Sequence, residues 1–316
     1  MTERETRRME APSNAPPRVA CIGEAMVELA LDDVAPDVAR VGFAGDTLNT
    51  AVYLKRALPE AHVAYVTRLG TDRFSERMIS FMQAEGLATD LVGRSHERVP
   101  GLYAITTDRA GERSFTYWRD RSAARQLFEV EPPALEDLAG FDLVFLSAIS
   151  LAIMSAEARA ALLEWLPAYR AGGGRLAFDS NWRPALWPDR PTARAIIEAA
   201  WRQTDIALPS LDDELAIFGE RQEGEVLARL REFGVRSGAL KRGAAGPLAL
   251  DGTPAGPFAP ATRVIDSTAA GDSFNAAYLA ARLRGLSEAE CLAAGHALAA
   301  RVVGARGAIL PREETG

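Results

Sequence analysis

The sequence predicts an α/β protein: a doubly wound, mostly parallel sheet flanked by helices, with a small β-strand lid standing off it. Two observations carry that prediction. Short apolar, β-prone runs alternate with helix-length amphipathic segments along most of the chain, the pattern of parallel strands joined by crossover helices. Two stretches break the rhythm, "LYAITT" (102–107) and "RSFTY" (113–117). Both are β-prone, and only the turn-like "DRAGE" separates them, so they form a hairpin and not another crossover unit.

The elements follow in order. Residues 1–17 ("MTERETRRMEAPSNAPP") combine charge and proline without an apolar core, which predicts a disordered extension and not a signal peptide. Order begins near Arg18, where "RVACIGEAMVELAL" is a β-rich run broken at Gly23. Residues 46–58 have helical character, 62–67 ("HVAYVT") form a strand and 72–85 an amphipathic helix. Strand 143–147, helix 155–170, strand 175–179, a helix through 192–201 and strand 205–208 continue the alternation. Residues 272–303, rich in alanine, are expected to be helical up to Gly304. The hairpin and parts of 28–43 supply the lid, with segments at about 28–43 and 100–118. One unit, 18–312, accommodates all of it.

Composition narrows the function. The 316 residues are 48% hydrophobic and 25% charged, as expected of a globular protein with a full core. A net charge of −7 argues against a nucleic-acid surface, and no stretch approaches the ~20 apolar residues of a membrane span. The two cysteines, Cys21 and Cys291, have no metal-ligand or CxxC neighbours, so structural thiols in a reducing, cytoplasmic setting are expected.

The chemistry concentrates near the C-terminus. Neither GxxxxGK[ST] nor a GxGxxG after a strand is present, which removes the central element of P-loop and dinucleotide-binding proteins. Instead "VIDSTAAGDSFNAAYLAARL" (264–283) runs from a β-prone segment through small residues into a helix that starts at about Asp272. Ala269, Ala270 and Gly271 would let backbone N–H groups approach a phosphate, and a helix N-terminus adds partial positive charge. From the segment alone, Asp272 is either a functional carboxylate or a plain N-cap.

This segment resembles the C-terminal signature D-T-x-G-A-G-D of the ribokinase-like (PfkB) carbohydrate kinases. "GFAGDTLNTAVYLKRAL" (42–58) is similar to the N-terminal signature, in the form found in the branch that phosphorylates 2-keto-3-deoxygluconate. "RLGTD" (68–72), "YWR" (117–119), "DSNWRPALW" (179–187), "PSLDDE" (209–214) and "KRGAAG" (241–246) fall in family order over nearly all of 18–311. The resemblance implies a ribokinase-like fold and ATP-dependent phosphorylation of a sugar. It makes Asp272 the general base, with the amides of Ala270, Gly271 and Asp272 as an anion hole. Ser210, Lys241, Gly243, Gly246 and Ala269 to Gly271 would bind ATP.

The family's Asn-x-x-Glu element corresponds to Ser210 through Asp213, a departure at both ends. Asp213 is the expected organiser of Mg2+ through water, with Glu214 as a rival. Gly45, Asp46 and Asn49 would face sugar hydroxyls, and Tyr103 and Tyr117 would cover the sugar from the lid. Arg119 and Arg183 favour a sugar acid, because a guanidinium pairs with a carboxylate through two parallel hydrogen bonds. A monovalent cation such as K+ is implied near Asp266 to Thr268 and backbone from about Val302 to Gly307, and a homo-oligomer is expected. The alternatives are a fructokinase or other neutral-sugar kinase, and a pseudokinase that binds a sugar acid without turning it over.

Overall fold

The computed structural model describes residues 15–31, 38–107 and 113–312. Most of the expected N-terminal extension and the "DRAGE" turn lie outside the described residues. The chain opens with β1 (Arg18–Ile22), β2 (Met26–Leu31) and β3 (Ala39–Ala44), then α1 (Asp46–Ala57), β4 (His62–Leu69), α2 (Arg73–Ala84) and β5 (Val92–Arg94). Next come β6 (Gly101–Thr107), β7 (Arg113–Trp118), β8 (Leu143–Ser147), α3 (Ala148–Ile153), α4 (Ala156–Ala171) and β9 (Arg175–Asp179). The remainder holds α5 (Arg190–Trp201), β10 (Ile206–Ala207), α6 (Leu211–Phe218), α7 (Glu223–Glu232), β11 (Ala239–Leu240), β12 (Leu248–Ala249), α8 (Ala270–Leu283) and α9 (Glu288–Val302).

Strands β10-β9-β8-β1-β4-β5 form one sheet in that order, and every pairing is parallel. The doubly wound prediction holds. Central strand β1 shows why its sequence is an unbroken apolar run. Val19 and Cys21 pack into the core on one face, Ala20 and Ile22 into the core on the other, and all four are fully buried. A strand covered on both faces has no polar side to alternate with.

The lid is a separate four-stranded sheet in the order β3-β2-β6-β7. Strands β2 and β6 pair in parallel, and β3 and β7 add antiparallel edges. Burial changes across the sheet and not along its strands: Tyr103, Ala104 and Ile105 of β6 are all buried, whereas Phe115, Tyr117 and Trp118 of the edge strand β7 are exposed.

The C-terminal expectation needs correction. Residues 272–303 are not one helix but α8 and α9, separated at Arg284–Ser287. Gly285 takes a left-handed φ of 77°, a conformation glycine adopts without steric cost. Ser287 and Glu290 then form a reciprocal capping box that starts α9. The Gly and the Ser-x-x-Glu spacing are a stop and a start signal, outweighed in the sequence by the alanine-rich periodicity.

Candidate active site

A cavity of about 660 Å³ lies between the carboxyl ends of the parallel strands and the lid, where open α/β sheets hold their ligands. Its lining brings together Gly45, Asp46, Asn49, Tyr103, Tyr117, Arg119, Arg183, Ser210, Asp213, Lys241 and the run Ala269 to Asp272. These residues are spread over more than two hundred positions of sequence. Gly243 and Gly246 lie outside the lining, in a 3-10 turn just beyond β11.

The start of α8 shapes one end. Ala269 holds the cap position in a left-handed conformation, φ 60°, which is uncommon for a residue with a Cβ and marks a constrained backbone. Asp266 pins the preceding loop by accepting from the amides of Thr268 (3.0 Å) and Gly307 (2.7 Å). The Ala270 amide donates to the Ser267 carbonyl at 3.2 Å, whereas among the described residues the Gly271 and Asp272 amides have no backbone acceptor. First-turn amides lack an intrahelical partner, and the helix dipole adds positive potential to them.

Asp272 is therefore not the N-cap: it lies in the first turn, and its carboxylate accepts from Asn49 Nδ2 at 2.8 Å. Burial, and after it the negative charge of Asp46, holds the Asp272 carboxyl well above the ordinary carboxylate range. Asp46 likewise does not cap α1, whose cap position is Gly45. Its carboxylate accepts from the Ser147 hydroxyl and from Asn181 Nδ2 at 2.8 Å. A Cβ on Gly45 would stand 2.2 Å from the Glu24 carbonyl oxygen, so only glycine permits this close approach of two chain segments.

Beneath α8, Lys241 Nζ donates to Asp179 Oδ2 at 2.6 Å and to Asn275 Oδ1 at 3.1 Å, and Asn275 Nδ2 donates to the same Asp179 oxygen at 2.6 Å. The ammonium is thus held close to Gly271 by a buried network. Asp213 lines the cavity and accepts from the Trp182 amide at 3.1 Å, and burial raises its pKa. Its rival Glu214 is fully buried away from the cavity and pairs with Arg229 at 2.8 Å.

At the lid end, Arg119 donates through Nε (2.8 Å) and Nη2 to a single oxygen of Glu24. Both residues are buried. Arg183 is exposed at the rim, and its Nη1 donates to the Trp182 carbonyl at 2.7 Å. The Tyr103 hydroxyl donates to Glu28, its register partner on β2, so its ring and not its hydroxyl is left for the cavity. Sequence reasoning had not singled out Glu24, Ser147, Asp179, Asn181 or Asn275. Asp179, the last residue of β9, and Asn181 just after it did carry a signal, since they lie at the end of a buried strand where a parallel sheet binds ligands.

A doubly wound sheet, a β lid, and a carboxylate beside open amides at a helix start define a small-molecule kinase of the ribokinase-like class. Residues 16–315 match the model of the pfkB family of carbohydrate kinases. The chain is 45% identical over 307 residues to a 2-dehydro-3-deoxygluconokinase of Escherichia coli (strain K12), covering 94% of this chain and 98% of that one. It is 46% identical over 306 residues to the 2-dehydro-3-deoxygluconokinase of Dickeya dadantii (strain 3937), covering 93% and 97%. A crystal structure of a PfkB protein from Polaromonas sp. JS666 superposes with a TM-score of 0.78 at 25% identity, over 92% of this chain and 96% of that one. The chain belongs to the pfkB family of carbohydrate kinases.

Proposed function

We infer that this enzyme transfers the γ-phosphoryl group of ATP to 2-keto-3-deoxygluconate (2-dehydro-3-deoxygluconate), giving the 6-phosphate and ADP. The observation that carries the reading is Asp272 beside the open Gly271 and Asp272 amides in a cavity that Arg183 also lines. The attacking 6-hydroxyl gives its proton to the Asp272 carboxylate as its oxygen bonds to the γ-phosphorus. The bond from the γ-phosphorus to the bridging oxygen breaks, and ADP leaves. Phosphoryl transfer depends mainly on positioning and charge stabilisation, and the two amides with the Lys241 ammonium meet the charge on the moving group. Asn49 orients the base, and Asp46 with Asn181 meets sugar hydroxyls.

Asp213 suits a Mg2+ that arrives with the nucleotide. Among the described residues no group of three or more His, Cys, Asp or Glu could hold a metal, and Mg2+ bound to phosphates needs only one or two protein carboxylates plus water. When bound, Mg2+ would neutralise phosphate charge. A monovalent cation near the loop pinned by Asp266, a homo-oligomeric state and a cytoplasmic location complete the proposal. No helix of the described residues is long and apolar enough to cross a membrane.

A neutral sugar would need no cation at the rim, so Arg183, which has no ion-pair partner among the described residues, favours the acid. The test is a coupled assay of purified protein with ATP against 2-keto-3-deoxygluconate, 2-keto-3-deoxygalactonate, fructose, ribose and gluconate. The expected result is the highest kcat/KM for 2-keto-3-deoxygluconate. A higher value for fructose would overturn the substrate, and no turnover with any of them would leave a binding protein.

A further inference from the structure

The Glu24–Arg119 pair is not explained by stability alone. Glu24 lies on the short connection between β1 and β2, where the chain passes from the main sheet into the lid, and Arg119 directly follows β7, where it leaves. The two side chains are 1% and 7% exposed. Among the described residues only one Glu24 oxygen is used: Oε2 accepts from both Nε and Nη2 of Arg119, and Oε1 is buried without a hydrogen-bond partner. A pair serving only to neutralise itself would form the two-on-two fork that guanidinium and carboxylate favour. This side-on arrangement instead fixes the plane of the guanidinium and leaves Nη1 without a partner among the described residues, on a residue that lines the cavity.

Gly101 supplies a second, independent observation. It opens β6 with an ordinary strand backbone, so its φ does not require glycine. A Cβ there would come 2.6 Å from Glu24 Oε1 and 3.1 Å from Arg119 Cβ. A strand glycine of this kind marks a close approach, and what approaches is the pair.

We propose that Glu24 is a positioning residue for substrate selection: it locks Arg119 so that the free edge of the guanidinium is presented to the carboxylate of the sugar acid. Glu24 itself does not touch substrate. Its negative charge also offsets that of Arg119, so the site holds a carboxylate by directed hydrogen bonds and not as a bare buried cation open to any anion. A side chain whose rotamer is locked by a neighbour holds its geometry far better than a free one. The proposal rests on the sugar-acid reading above, and wild-type turnover of 2-keto-3-deoxygluconate is the control that this reading must pass alone.

The test is steady-state kinetics of Glu24→Gln and Glu24→Ala with 2-keto-3-deoxygluconate and ATP, with a thermal melt of each protein. Glu24→Ala removes both hydrogen bonds and should raise KM for the keto acid about tenfold or more, with KM for ATP unchanged and kcat little altered. Glu24→Gln keeps one carbonyl acceptor for Nε and should recover part of that loss. If the alanine variant does not fold, because it leaves Arg119 buried and uncompensated, the glutamine variant alone decides: a raised keto-acid KM at unchanged ATP KM supports the role. Folded variants with wild-type keto-acid KM, or with both KM values raised together, would overturn the positioning role while leaving the reading intact. A wild-type protein that does not phosphorylate the keto acid removes the reading, and the proposal with it.

Discussion

At the α8 end of the cavity the polar groups come mostly from one short run of chain, Asp266 to Asp272, steadied by the buried Lys241–Asp179–Asn275 network. Toward the lid and the rim they come one at a time from separate elements: Tyr103 from β6, Arg119 after β7 with Glu24 of the β1–β2 connection behind it, and Arg183 after β9. The first end offers fixed backbone dipoles. The second offers long side chains, some on a sheet whose edge strand β7 is exposed. Groups that meet developing charge work best when already in place, because reorganisation at the moment of reaction adds to the barrier. Groups that admit and select a substrate must let it in and out. The comparison therefore assigns kcat to the α8 end and substrate KM to the lid end.

The largest expected effect lies at the α8 end. Asp272→Asn keeps the size of the side chain and removes its proton affinity, and general base catalysis contributes ~10²–10⁴-fold. kcat should fall by about that range, with both KM values within a few-fold of wild type. A wild-type kcat would remove Asp272 from the chemistry, and a loss confined to KM would erase the distinction between the two ends. At the rim, Arg183→Ala should behave in the opposite way. Losing one charged hydrogen-bond partner costs ~1.5–3 kcal/mol, so KM for the keto acid should rise at least about tenfold while KM for ATP stays. Steady-state titration of each substrate at saturating levels of the other measures both.

The same contrast explains what was legible in the sequence. Five strands of the main sheet could be placed because strands such as Leu143–Ser147 and Arg175–Asp179 are short apolar runs, whereas the three-residue edge strand Val92–Arg94 is too short to stand out. The α8 end was legible because its parts are contiguous, and the order of small residues before Asp272 carries the chemistry. The helices Ala148–Ile153 and Leu211–Phe218 were harder, being only six and eight residues long, too short for a helical period to emerge. Glu24 was hidden for a different reason. It is an acidic residue inside an apolar run, and its partner Arg119 is 95 positions away. Nothing local announces a pair that exists only once the lid sheet brings the end of β7 beside the β1–β2 connection.

The Asp272 carboxyl of the unliganded enzyme is held above the ordinary carboxylate range, and a base must be ionised to accept a proton. The acid limb of kcat/KM, which reports the free enzyme, should therefore lie above the ~4 of an unperturbed aspartate. Asp46 contributes repulsion to that shift, so Asp46→Asn should move the limb toward acid. A limb near the unperturbed value in the wild type would contradict the burial of the base.

The smallest effect is on stability, and its sign is set by the same shift. Because the folded-state pKa of Asp272 is raised, the folded protein keeps this proton in a pH window where the unfolded chain has already lost it. Within that window the folded state binds more protons, so stability falls as pH rises and is greatest on the acid side, below the unfolded value of about 4. The side-chain amide of Asp272→Asn cannot ionise and escapes this penalty. The variant should melt with the wild type at the acid end and above it at neutral and alkaline pH. A penalty of ~1 kcal/mol corresponds to roughly 2–4 °C in Tm for a large domain. The Asn49 hydrogen bond to Asp272 works against the gain, because an ionised carboxylate is the stronger acceptor. Carboxylates remote from Asp272 titrate alike in both proteins and cancel in the difference, whereas Asp46 and Asp179, whose charges act on Asp272, add to it. Paired melts across pH measure that difference directly. A gap that does not vary with pH, or one that opens in favour of the wild type at alkaline pH, would show that the α8 end holds its carboxylate without cost to the fold.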